Sequence, residues 1–230
     1  MTVYKGFDID AYPGDTAMND FWTNTPFSFT GFYLAPAPNH SDTSWMNTKS
    51  YLSGLGYGFL PIFVGLQVGD SNLTYSQGQT DAKSAAALAS KAGFNTENNV
   101  IYLDVEAGGG SLTSDMIDYI DGWIDAIVAD TIYMPGIYCS YENADTIKNS
   151  STNAGNLSNI RYWVWNLSSA SPGCTTNTSD TPADSGVSYA TSWQYAQTNP
   201  YIPSTCPITY NGTTLDVDLD LSNYADPSVG

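Results

Sequence analysis

Short apolar runs that end in acids recur along this chain. Residues 3–10 (Val-Tyr-Lys-Gly-Phe-Asp-Ile-Asp) read as a strand closing on Asp8 and Asp10. Val100-Ile101-Tyr102-Leu103-Asp104-Val105-Glu106 reads as another, and Ala107-Gly108-Gly109-Gly110 follows it. Side chains alternate faces along a strand, so Asp104 and Glu106 point one way while Leu103 and Val105 point the other. Near the far end, residues 215–221 alternate strictly between aliphatic and acid, Leu-Asp-Val-Asp-Leu-Asp-Leu.

Further strand-like runs lie between these, at 27–34, 58–65, 133–139, 161–165 and 192–195, with 215–219 as the eighth. Pro61 obscures where the third begins. Helical patterns separate them. Residues 80–92 are Ala-rich and stop before Gly93; Ile117, Ile120, Ile124 and Ile127 recur at helical spacing; 141–148 reads as a short helix. Strands alternating with helices predict an α/β fold, one (β/α)8 TIM-type barrel of parallel strands filling a single domain over residues 1–230. The Ser/Thr/Asn/Pro-rich stretch 168–188 shows no helical period, which predicts a long loop and a missing or degenerate helix late in the barrel.

In such a barrel the first and last strands are neighbours, and strand C-termini converge on one face. The acidic ends can therefore build one site. Asp216, Asp218 and Asp220 cannot all point into a packed barrel, because three desolvated charges in a row cost too much; one or two belong to the site and the rest to loop or solvent. Two acids side by side also raise the proton affinity of at least one of them. Desolvation and like charge together should keep Glu106 protonated at mildly acidic to neutral pH, with Asp104 ionised once a ligand with developing positive charge is bound.

Composition narrows the choice of partner. Only 13% of residues are charged, against roughly 25% in typical soluble proteins, and 23 acids face 6 bases for a net charge of -17. That balance argues against nucleic acid and anionic membranes, and no apolar stretch approaches a membrane span of roughly 20 residues. Cys174 and Cys206 sit in loop-like, Pro-containing stretches and are expected to form a disulfide, leaving Cys139 as a free core thiol. Asn-x-Ser/Thr sequons stand at Asn39, Asn72, Asn149, Asn156, Asn166, Asn177 and Asn211. The expectation is a secreted, extracellular monomer, any signal peptide lying outside this sequence.

The order Gly6-Phe7-Asp8, Phe29-Thr30-Gly31-Phe32-Tyr33, Ile101 to Glu106, Gly136-Ile137-Tyr138-Cys139-Ser140 and Trp193-Gln194-Tyr195 resembles the glycoside hydrolase-like barrels grouped as domain of unknown function 1906. These are related in fold to the family 25 glycoside hydrolases, which are lysozymes. The resemblance runs from about Tyr4 to Tyr224. It implies that Glu106 donates a proton to the glycosidic oxygen, that Asp104 orients the N-acetyl group or stabilises the developing cation, and that Asp8 and Asp218 tune those charges. Asp10, Tyr33, Tyr138, Trp165, Trp193 and Gln194 are the candidate sugar-binding residues, with Trp163 a further aromatic beside them.

The implied partner is a polysaccharide and the implied activity is cleavage of β-1,4 N-acetylhexosamine chains such as peptidoglycan, with no cofactor or metal. Two other readings use the same acids. A non-catalytic glycan-binding barrel would employ them as hydrogen-bond acceptors. A metal-dependent phosphodiesterase would want histidines, and the sequence offers His40 alone, in a polar loop. Cysteine nucleophile chemistry has no support, since no histidine accompanies Cys139.

Overall fold

A computed structural model describes residues 2–110, 112–153, 160–168, 171–197 and 206–229. The sequon at Asn156 lies outside these. Eight strands close a barrel: β1 (Tyr4–Asp8), β2 (Phe27–Tyr33), β3 (Gly58–Phe63), β4 (Val100–Val105), β5 (Met134–Ser140), β6 (Arg161–Trp165), β7 (Ser192–Ala196) and β10 (Asp218–Ser222). A separate hairpin pairs β8 (Pro207–Tyr210) with β9 (Thr213–Asp216). Among the described residues five helices lie outside: α1 (Asp15–Asn24), α2 (Lys49–Leu55), α3 (Tyr75–Ala92), α4 (Ser114–Asp130) and α5 (Ala144–Asn153).

Period-two alternation sorts the strand side chains into two apolar layers. Phe29, Leu60, Ile62, Val100, Tyr102, Tyr138 and Trp163 fill the barrel interior. Ile101, Leu103, Val105, Ile137, Val164, Trp193, Leu219 and Leu221 face outward, in one cluster with Ile120, Trp123 and Ile124 of α4. Helices α3 and α4 approach each other at two glycines. A Cβ on Gly78 would stand 2.0 Å from the Tyr119 carbonyl, and one on Gly122 would stand 2.0 Å from that of Tyr75. Asp81, buried at this contact, accepts from Tyr119 Oη at 2.7 Å and Gln77 Nε2 at 2.9 Å. Thr74 and Thr113 cap the two helices by accepting from the amides of Gln77 and Met116.

Two expectations need correction. The barrel is not all parallel, because β10 runs antiparallel to both β1 and β7. The acidic run read as one eighth strand at 215–219 is divided: β9 ends at Asp216, and β10 begins at Asp218. Asn211 and Gly212, both at positive φ, make the tight turn between β8 and β9, an Asn-Gly signal available in the sequence. The stretch 168–188 has no α-helix among its described residues, only a 3₁₀ turn at Pro182–Ser185.

Cys174 and Cys206 are bonded, tying the loop after β6 to the entrance of β8, while Cys139 is buried and free on β5. Thiol titration in denaturant without reductant should therefore find a single reactive thiol. The bridge closes a separation of 32 residues, so its removal by Cys174→Ser should cost about 3–4 kcal/mol of unfolding free energy in urea melts. Three titrating thiols would contradict the pairing.

Candidate active site

The site opens at the C-terminal ends of the parallel strands. Asp8 ends β1, and the antiparallel register of β10 sets Asp218 directly opposite it. Asp8 packs against Gly31 of β2, where any Cβ would lie 2.5 Å from the Asp8 Cβ, so glycine is required for the two strands to pair with this acid inside. Asp104 occupies the inward face of β4, in line with Tyr102 and Val100. Glu106 follows just past the strand end. One hollow is lined by Asp8, Tyr33, Ile62, Asp104, Glu106, Tyr138, Trp163, Gln194, Gln197 and Asp218.

Neutral donors hold these acids in place. Asp8 accepts from Tyr33 Oη at 3.0 Å and from Gln194 Nε2 at 2.8 Å, and the same Nε2 lies 3.4 Å from Asp218 Oδ2. Tyr138 Oη donates to Gln194 Oε1 at 2.8 Å, which fixes the amide with its NH2 toward the acids. Below them Asp220, with no surface exposed, accepts from Trp163 Nε1 at 2.9 Å. Gln67 spans the base of the β4 loop: its Nε2 donates to the Asp104 carbonyl at 2.9 Å and its Oε1 accepts from the Glu106 amide at 3.0 Å. Asn143 Nδ2 donates to the Ala107 carbonyl at 2.6 Å, so the backbone that carries Glu106 is fastened on both sides.

Burial dominates the electrostatics. It pushes Asp8 up to about 6, although the hydrogen bonds from Gln194 and Tyr33 pull the other way. Asp104 lies well above the usual carboxylate range, chiefly through burial, then through the charge of Glu106, a hydrogen bond between the two carboxyls and the charge of Asp8. Asp220 is likewise raised, by burial and by Asp8. Glu106 is also raised, chiefly by desolvation, with its hydrogen bond to Asp104 acting the other way. Glu106 is exposed as a residue, with its carboxyl tucked against Asp104 at the mouth. A hydrogen bond joins the Asp104 and Glu106 carboxyls, so the two titrate as a pair that shares a proton.

Among the other candidates, Tyr33, Tyr138 and Gln194 line the hollow, and Asp10 lines an adjoining one with Asp8, Ile9, Tyr33, Asp216 and Asp218. Trp165 is half-buried at the rim beside Gly108. Trp193 is not part of the site. It is wholly buried among the outward residues, and its Nε1 donates to the Asn166 carbonyl at 3.1 Å. The cause is parity: Gln194 points inward on β7, so its neighbour must point out. Asp216 is exposed, leaving Asp218 and Asp220 as the two inward acids of that run. Asp220, Gln67 and Gln197 were missed as site residues. Only Asp220 had a signal, its two-residue spacing from Asp218.

Three features bear on other readings. Among the described residues no group of three or more His, Cys, Asp or Glu side chains is disposed to hold a metal ion. A larger cleft lined by Glu97, Asn98, Val128 and residues 131–135 lies at the opposite end of the barrel and carries no comparable constellation. No helix among the described residues is long and apolar enough to cross a membrane.

A family model for the Rv2525c-like, glycoside hydrolase-like domain matches residues 20–220. No curated protein matches in sequence. Among solved structures, an uncharacterized protein from B. stearothermophilus superposes with a TM-score of 0.66 at 19% identity, covering 96% of each chain. The spore cortex lytic enzyme SleM of Clostridium perfringens gives 0.65 at 15% identity, over 96% of this chain and 67% of that one. A family 25 glycosyl hydrolase from Bacillus anthracis gives 0.59 at 14% identity, over 96% and 89%. At these identities the likeness concerns the fold.

The raised acids make stability depend on pH in an unusual direction. Unfolded, Asp8 releases its proton near the ordinary aspartate value, about 4; folded, it keeps it to about 6. Between those values the folded state binds more protons, so stability falls as pH rises through this window and is greatest on its acidic side. Thermal melts should give a higher Tm at about pH 5 than at about pH 7. Asp8 accounts for about 1 kcal/mol of the stability lost between pH 5 and pH 7, and Asp8→Asn should remove that part. A Tm that rises from pH 5 to 7 would contradict the assigned protonation.

Proposed function

Because the chain belongs to the Rv2525c-like, glycoside hydrolase-like family, we propose that it hydrolyses β-1,4-linked N-acetylhexosamine glycans such as peptidoglycan, with Glu106 as the acid. The observation that carries this reading is the Asp104–Glu106 pair. Two carboxyls of raised proton affinity share one hollow at the strand ends, with Asp8 and Asp218 beside them and the half-buried rings of Tyr33, in the hollow, and Trp165, at the rim, available to a sugar. SleM and the family 25 enzyme share this barrel, which supports the reaction class through fold alone.

Glu106 stands at the mouth, where a polymer crossing the barrel can meet it, and it is the member of the pair placed to protonate a glycosidic oxygen. As the C–O bond breaks, its electron pair takes that proton and positive charge develops on the sugar ring. Ionised Asp104, with Asp8 and Asp218 nearby, stabilises that charge. The pair holds the proton jointly, so a cationic ring beside Asp104 favours the arrangement with Asp104 ionised and the proton on Glu106. Water completes the substitution at the anomeric carbon, returning its proton to the carboxyl that gave one up. A single domain of 1–230, secreted and acting as a monomer, completes the proposal; the disulfide is consistent with an oxidising compartment.

Glu106→Gln should lower turnover about 100-fold or more while leaving fold and glycan binding in place. The assay is release of reducing ends from peptidoglycan and chitin fragments by wild type and variant. Equal rates, or no release by wild type with binding retained, would make the barrel a glycan-binding module.

A further inference from the structure

The chain contains six Lys and Arg residues and one His, and all seven fall among the described residues, so each cationic side chain has a known place. Lys5 donates to the Thr176 carbonyl, and Lys49 lies over the rings of Phe59 and Phe94. Lys83 pairs with Asp130, and Lys91 stands in the last turn of α3. Lys148 lies over Tyr189, and Arg161 over Tyr224. None of these, nor His40, lines either hollow at the strand ends. The hollow beside the catalytic pair, of about 270 Å³, is walled by Asp8, Asp10, Asp216 and Asp218 together with Ile9 and Tyr33.

Acids gathered on one face without a cation, in a protein of net charge -17, repel an anionic polymer and favour a cationic one. A second observation points to a bound ligand. Asp104 is 5% exposed, and its Oδ1, buried at the wall of the joined hollow, meets no hydrogen-bond partner. Such an oxygen is costly until a donor reaches it. A ligand that fits must bring a sugar face for Tyr33 and positive charge for the aspartates. A hexosamine whose nitrogen is a free amine has both, whereas an N-acetylated one presents only a neutral amide.

We propose that the glycan taken by this site is at least partly N-deacetylated, with ammonium groups seated against Asp8, Asp10, Asp216 and Asp218. This rests on the reading of the site as one that cleaves hexosamine polymers, and it narrows the substrate class. Exposed Asp10 and Asp216 supply the long-range pull; Asp8 and Asp218, in the same hollow, supply the close contacts.

The test uses a β-1,4 glucosamine oligomer, its fully N-acetylated counterpart and a tetralysine peptide. Binding is measured by calorimetry on the Glu106→Gln protein, and hydrolysis of both oligomers on wild type. The amine oligomer should bind about tenfold more tightly than the acetylated one at low salt. That advantage should shrink as ionic strength rises from about 0.01 M to about 0.15 M. The double variant Asp10→Asn/Asp216→Asn should lose most of it. Equal or weaker binding of the amine form, an advantage insensitive to salt, or tetralysine binding as tightly as the sugar would overturn the inference. Hydrolysis of the acetylated polymer with no amine preference sinks this inference alone. Amine preference with no hydrolysis of any polymer sinks the hydrolase reading and leaves this one standing.

Discussion

Five carboxyl groups meet at one end of a closed barrel, and no cation enters with them. Asp8, Asp104 and Asp220 are almost wholly removed from solvent, with Glu106 and Asp218 above them. Burying that many ionised carboxylates together is prohibitive, so Asp104 and Asp220 keep their protons well above the ordinary range, Asp8 keeps its proton to about 6, and neutral donors surround them. Tyr33, Gln194 and Trp163 donate to these acids, while Tyr138 turns the Gln194 amide toward Asp8. Every other feature of the site follows from this constraint: the raised proton affinities, the aromatic walls and the sharing of a proton between Asp104 and Glu106.

The scaffold is arranged to tolerate the cluster. Gly31 leaves room for Asp8 between β1 and β2, and the antiparallel β10 delivers Asp218 and Asp220 to the same interior face. Gln67 and Asn143 hold the backbone around Glu106, so the outermost acid is carried on a fastened turn. The disulfide between Cys174 and Cys206 draws the chain after β6 toward the hairpin that precedes β10. Stability generated in the outer layer, where Trp123, Trp193 and Ile124 pack, offsets the cost of the polar interior.

Much of this was legible in the chain. The strand ends at Asp8 and Asp104 were visible because apolar runs stop at acids, and alternation placed Asp104 on the inward face. Alternation also went unused where it mattered: Trp193 and Gln194 are adjacent on one strand and could not both face a sugar. The orientation of β10 was hidden, because an alternating acid–aliphatic run reads the same in both directions. Helices α1 and α2 were not recognised; α2 spans only Lys49–Leu55, while α1 carries Met18, Phe21 and Trp22 at i, i+3 and i+4, a helical signal that went unused. Gln67 belongs to a loop contact made only when β3 and β4 lie side by side, so no local pattern announces it.

The shared-proton account is tested most directly by following the carboxyl groups themselves. Carbon-13 NMR of aspartate and glutamate carboxyls, or infrared difference spectra, recorded from pH 3 to 8, would separate buried from surface acids. The account predicts one aspartate, lost in Asp8→Asn, that titrates at about 6, with Asp104 and Asp220 keeping their protons well above the ordinary range. If all the carboxyls instead ionise together near the unperturbed value of about 4, the barrel does not hold its acids protonated, and the central claim is wrong.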